Sequence, residues 1–255
     1  SYSYFNGKKV INQQMQKNVN GCIMNYSWRN KMHFTKKTLA AFFSILSLTA
    51  ILLFAKAKFD AKNYSPLALM TIITNSTINW ADGNIDNEIN SSNTTINFYK
   101  LIEDSVNENL TLKGFKLVPK SDIINSTEYK QAEESNYYIG EDYASITGYR
   151  RLPEKNKAAI LIKEKTGAKA FAYVTVFIEK EMDEGYKKNG TMRGKVTAFV
   201  DITNENGKLI SNAQSSEYTS KVIQIVDGKY NYTQFAAMYP DTIRAAITNA
   251  TAALK

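Results

Sequence analysis

Ala168-Lys-Ala-Phe-Ala-Tyr-Val-Thr-Val-Phe-Ile-Glu-Lys180 and Lys195-Val-Thr-Ala-Phe-Val-Asp-Ile-Thr203 decide the fold of this chain. Both are rich in β-branched and aromatic residues, which suit a pleated, half-buried surface. Successive strand side chains point to opposite faces, so Ala172, Val174, Val176 and Ile178 share one face while Phe171, Tyr173, Thr175 and Phe177 share the other. In the second stretch Val196, Ala198, Val200 and Ile202 point inward. The polar residues from Asp183 to Arg193 between them predict a hairpin tip. Asn206-Gly207 supplies the positive-φ residues of a tight turn, so a third strand is expected from Lys208 to about Ile225.

Upstream, Leu67-Ala-Leu-Met-Thr-Ile-Ile-Thr74 is a short unbroken apolar run after Pro66, the pattern of a strand buried on both faces. Thr94 or Thr95 is expected to cap a helix in which Phe98, Leu101, Ile102, Ser105, Val106, Asn109 and Leu110 recur at three-four spacing. Gly114 stops it, and Phe115-Lys-Leu-Val-Pro119 reads as a second strand. Ser121 then opens a further helical piece, another helix spans about 154 to 166 before Gly167, and Ile243, Ala246, Ile247, Ala250, Ala253 and Leu254 form the stripe of a C-terminal helix opened near Pro240-Asp241. The predicted order, β-α-β-α-α-β-β-β-α, implies a single α/β (α+β) domain with a mixed sheet covered by helices.

Charge is distributed unevenly along the 255 residues. Residues 1 to 57 hold eight Lys/Arg and no Asp or Glu, so the net charge of +8 belongs to that segment and the remaining 198 residues are formally neutral. A basic surface that would attract nucleic acid is therefore not expected on the folded body. His33 and Cys22, the sole histidine and cysteine, also lie in the leader. The body accordingly has no disulfide, no Cys-containing zinc site, no Cys nucleophile and no His-assisted triad. No phosphate-cradling Gly-rich loop or nucleotide fingerprint is present, and no cofactor is expected.

Met32-His-Phe-Thr-Lys-Lys37, the apolar run Leu39 to Ala55 and Ala55-Lys-Ala57 match the basic, apolar and small-x-small parts of a secretory signal over residues 32–57, with a mature start at Lys58. The 17-residue run also reaches the lower length limit of a bilayer span, which leaves an uncleaved anchor at 39–55 as the alternative. Cys22 precedes that run and so cannot be a lipid-bearing cysteine at its end. Residues 1–31, polar and free of acids, read as an upstream or disordered extension. Nine Asn-x-Ser/Thr triplets in residues 58–255, among them Asn75, Asn109 and Asn249, are read as turn and cap chemistry rather than glycan acceptors.

Gly114-Phe-Lys-Leu-Val-Pro119, Thr166-Gly-Ala-Lys-Ala-Phe-Ala-Tyr-Val174 and Val196-Thr-Ala-Phe-Val-Asp-Ile-Thr-Asn-Glu-Asn-Gly-Lys-Leu-Ile-Ser211 together resemble the amino-terminal TolB domain and the CsgG/LpoB group of bacterial envelope proteins. The resemblance covers roughly residues 64 to 254. It implies a periplasmic module that assists envelope assembly, cell-wall synthesis or secretion, with an envelope protein or cell-wall component as partner. The chain departs from the CsgG/LpoB group in lacking its lipid-bearing Cys, so contact with the membrane is expected only through an uncleaved helix at 39–55.

Two loops carry the candidate binding residues. Asn79, Trp80 and Asp82 follow the first strand, where open α/β sheets place ligands, and Trp80 is the body's one tryptophan. Tyr137, Tyr138, Tyr143, Tyr149, Arg150 and Arg151 fill the irregular stretch 135–153 with the residue types favoured at protein interfaces. Glu133-Glu134, Glu141-Asp142 and Asp183-Glu184 are paired carboxylates in polar loops, and Lys163 and Lys165 with Thr166 lie on a solvated helix face. The sequence thus points to an exported, non-catalytic binding or assembly module. A carboxylate-dependent hydrolase of envelope polysaccharide and a membrane-anchored surface protein stand as alternatives.

Overall fold

In a computed structural model, which describes residues 59–80, 96–135, 143–146 and 148–255, the two opening stretches pair along their whole length. Strands β4 (Ala170–Tyr186) and β5 (Asn189–Thr203) are antiparallel from Phe171 opposite Thr203 out to Tyr186 opposite Asn189. The polar stretch expected to be a hairpin tip is therefore mostly strand. It holds its ladder although it buries little, because Arg193 pairs with Glu181 across it at 2.7 Å and Gly190 lets the backbones close on each other.

Strand β1 (Leu67–Asn75), buried at every position, runs parallel to β4 on its other side. The two-residue strand β2 (Asn79–Trp80) continues that pairing opposite Glu179 and Lys180. Strand β3 (Tyr143–Ser145) closes the near edge against β1. On the far side β6 (Leu209–Tyr218) and β7 (Ile223–Ile225) follow β5 in succession. The order is β3-β1-β4-β5-β6, with β2 beside β4 and β7 beside β5: a mixed, seven-stranded sheet. The expected strand from Lys208 to Ile225 is thus two strands, broken where Thr219 turns to bond Gly194 through backbone and side chain.

Helix α1 (Phe98–Leu112) is capped by Asn97, not Thr94 or Thr95, and ends at Gly114 with φ of 106°. Phe115–Pro119 makes a single bridge, Leu117 to Leu67, and not a strand. The next helical piece is two short turns, α2 (Lys120–Ile124) and α3 (Thr127–Lys130), the latter capped by Ser126. Helix α4 (Lys157–Thr166) is capped by Asn156 and stopped by left-handed Gly167. Helices α5 (Tyr232–Ala236) and α6 (Tyr239–Ala252) complete the chain, with Pro240 in the first turn of α6 as its fixed φ favours.

The helices divide between the two faces of the sheet. Even-numbered residues of β4 and β5 pack with Leu67, Leu69 and Ile72 beneath α1 and α6, where Phe98, Ile102, Val106, Tyr239, Ile243 and Ile247 are buried. On the opposite face Phe171 and Tyr173 pack with Ala68, Met70, Tyr129, Ala158 and Ile162 beneath α2 to α4. These helices cover only the end of the second face where β4 begins. Among the described residues no helix is long and apolar enough to cross a membrane. The signal reading at 32–57 and the extension at 1–31 lie outside the described residues, as do Asp82, Tyr137, Tyr138, Glu141 and Asp142.

Candidate functional site

Asn75 sets the position of Trp80. At the end of β1 its buried side chain replaces the strand ladder: Oδ1 accepts from Ile178 N at 2.7 Å and Nδ2 donates to Ile178 O at 2.6 Å and to Thr77 O. The chain thereby leaves β4 for three residues and returns as β2. Thr77 Oγ1 donates to Asn79 Oδ1 at 2.8 Å, and Trp80 falls opposite Lys180. That puts Trp80 on the α1/α6 face, half-buried. Lys187 Nζ sits 4.5 Å and Lys180 Nζ 5.1 Å from its ring centre. Lys180 is fully buried and donates to Tyr230 Oη at 2.8 Å. The ring's cation-attracting faces are therefore met by the protein's own lysines.

Arg150, Arg151 and Tyr149 sit in a different environment. Tyr129 Oη donates to Met70 O at 2.6 Å and accepts from Arg150 N at 2.8 Å. The Arg150 guanidinium donates to Lys130 O and Ala132 O, and Arg151 Nη2 meets Glu134 Oε2 at 3.3 Å. These arginines staple the segment after α3 to the segment leading toward α4. Tyr149 is buried, with Lys120 Nζ 4.6 Å from its ring, and burial pushes its hydroxyl pKa up. Glu134, one of the paired carboxylates of the sequence, is held by both arginines.

Tyr143 lies elsewhere again. It is opposite Asn75, on the second face of the sheet, 6.0 Å from the ring of Phe177, which is 5.8 Å from Phe199. The three rings make a row of edge-to-face contacts across β3, β4 and β5. Phe177 and Phe199 are half-buried, yet they belong to neither core, and among the described residues no helix covers this half of the face. Polar residues continue the surface: Thr197 bonded to Ser216 at 2.9 Å, and Gln214 opposite Phe199. Charged pairs border it, Glu179 with Lys195 at 4.0 Å, Glu181 with Arg193, and the Arg193 guanidinium 4.0 Å over the ring of Tyr218.

The predicted binding residues are thus not brought to one place. Trp80 is on one face, Tyr143 on the other, and Tyr149, Arg150 and Arg151 are engaged in internal packing. Sequence reasoning missed Phe177 and Phe199 because an aromatic on the second face of a strand reads as core. The usable signal was that Thr175, Thr197, Gln214 and Ser216 on the same face are polar.

Two half-buried carboxylates on this face have raised pKa values. Burial is the main cause for both; Lys195 opposes it at Glu179, and Glu154 adds to it at Asp201. Asp201 is opposite Tyr173 and Glu179 opposite Lys195, six residues apart along β4. That is about 20 Å of strand, well beyond the roughly 5–9.5 Å between the carboxyl groups of glycoside hydrolases. Among the described residues no three potential metal ligands converge. Neither a protein-family model nor a curated protein matches the chain.

Proposed function

We propose that the chain is an exported, non-catalytic binding module of the cell envelope, and that its contact surface is the part of the second face carrying Tyr143, Phe177 and Phe199. The carrying observation is that this aromatic row lies outside both cores. Aromatic rings contribute large contact area at small entropic cost, and a row flanked by charged pairs has the apolar centre and polar rim of a protein interface. The partner that fits is an envelope protein with an apolar patch, its rim charges complementing Glu179/Lys195 and Glu181/Arg193. Export rests on the signal-like residues 32–57.

Capture from an envelope fraction under native conditions tests the reading. Phe177→Ala/Phe199→Ala is expected to lose a species that wild type retains, a weakening of about thirtyfold or more for the loss of a central anchor. Leu112→Ala, at an exposed site on α1, is expected to retain it. Equal capture by both variants refutes the assignment.

A further inference from the structure

The far edge of the sheet is unusual for an edge. Strand β6, Leu-Ile-Ser-Asn-Ala-Gln-Ser-Ser-Glu-Tyr, is ten residues long and ends the strand order, and among the described residues nothing pairs with its outer side. About half of its residues turn backbone N–H and C=O groups outward. Edge strands are normally guarded by lysine, proline, a central bulge or a covering element. β6 contains no Lys, Arg or Pro, and its one irregularity lies at its start, opposite Ile202 and Thr203. Its one charge, Glu217, is turned to its own subunit, accepting from Asn249 Nδ2 at 2.7 Å and Ser215 Oγ at 3.0 Å.

We propose that β6 pairs antiparallel with β6 of a second copy of this chain, across a two-fold axis perpendicular to the sheet at Gln214. Residues facing each other in an antiparallel pair share a face, so the axis must fall on a residue of the strand. Centred on Gln214, it sets Gln214 against itself, Ala213 against Ser215 and Asn212 against Ser216. Every central pair is small or amide-bearing and uncharged. Glu217 meets Ser211 rather than its own mate, so no like charges oppose. Self-pairing is thus permitted along the strand without a foreign sequence to complement it. Gln214 stands opposite Phe199 in the β5–β6 ladder, so the axis aligns Phe199 of both copies on one side of a continuous sheet. Three strand spacings separate them, about 14 Å. The strand pairing stands whether or not the aromatic row binds a partner; if it does, the dimer presents two rows side by side.

The test uses the full chain with Cys22→Ser, which leaves no other cysteine. At the axis the two Cα atoms of residue 214 lie about 4.5–5.5 Å apart, within the roughly 4.4–6.8 Å that a disulfide spans. Mild oxidation of Gln214→Cys is expected to give a covalent dimer, whereas Asn212→Cys and Ala213→Cys, off the axis, are expected to give none. Gln214→Lys places two like charges face to face, and sedimentation is expected to show dimerisation weakened at least tenfold with an unchanged far-ultraviolet circular dichroism spectrum. A wild-type monomer, a dimer indifferent to Gln214→Lys, or cross-linking at 212 or 213 in place of 214 overturns the proposal.

Discussion

Asn75 shows how one side chain substitutes for a stretch of backbone. Its amide completes the ladder of β4 at Ile178, where β1 has already turned away. Asn75→Ala leaves a buried N–H and C=O without partners, an expected cost of about 2–3 kcal/mol, read as a fall of several degrees in thermal melting. The same burial leaves the Asn75 side chain no room for a glycan in the folded chain. Asn231 caps α5, and the amides of Asn109 and Asn249 bond within the fold. Asp201 is the opposite case, a group the fold tolerates at some cost to its charge. Its pKa is raised from the ordinary 3.8, so the native state holds a proton that the unfolded chain has released, and the stability this gives is present below pH 3.8 and lost as pH rises through the raised value. Asp201→Asn is expected to raise the melting temperature at pH 7, with the gain shrinking toward pH 3.8. A gain independent of pH would show that burial of the carboxylate is not the cause.

At the scale of elements, α6 is fixed to the sheet through Gly194. A Cβ at this position would meet the Tyr239 ring and Thr219 at 2.7 Å. Tyr239 is fully buried between Phe98 and Phe235, and its hydroxyl donates to Glu179 O at 2.6 Å. Gly194→Ala must therefore push the start of α6 off β5. The expected loss is about 1–3 kcal/mol, visible in denaturant midpoints without a change of slope. The helices were legible where a glycine stop followed the expected span, as at Gly167 for α4, whereas the cap of that helix, Asn156, was not read from the sequence. Phe115–Pro119 was not legible as a mere bridge. Its composition is that of a strand, but Leu67 alone is within pairing reach.

For the molecule as a whole, the described helices pack over one face of the sheet and over one end of the other, and the two proposals use the surfaces that the described residues leave. Trp80→Ala, on the covered face, is expected to lower stability by about 3 kcal/mol, whereas Phe177→Ala/Phe199→Ala is expected to lower partner capture more than stability. Thermal melts and titrations on the same proteins separate the two effects. Export predicts that the processed chain begins at Lys58, which mass spectrometry of the envelope fraction reads directly. A terminus upstream of Leu39 would identify an anchored form.

The sequence by itself determined the α/β class, the antiparallel β4-β5-β6 unit, the glycine stops of α1 and α4 and the start of α6 at Pro240, because alternation, three-four spacing, helix-stopping glycines and Asn-Gly turns are local signals that neighbouring residues carry. It also set the chemical inventory of the body, without His or Cys. The assignment of faces was a tertiary decision. Whether Phe177 was core or surface depended on where α2 to α4 settled, and whether Trp80 joined Tyr143 depended on the register in which the chain returned to β4 after Asn75, with Trp80 opposite Lys180. Both are contacts between residues distant in sequence, such as Asn75 with Ile178, and alternation within one strand cannot report which face a distant helix will cover.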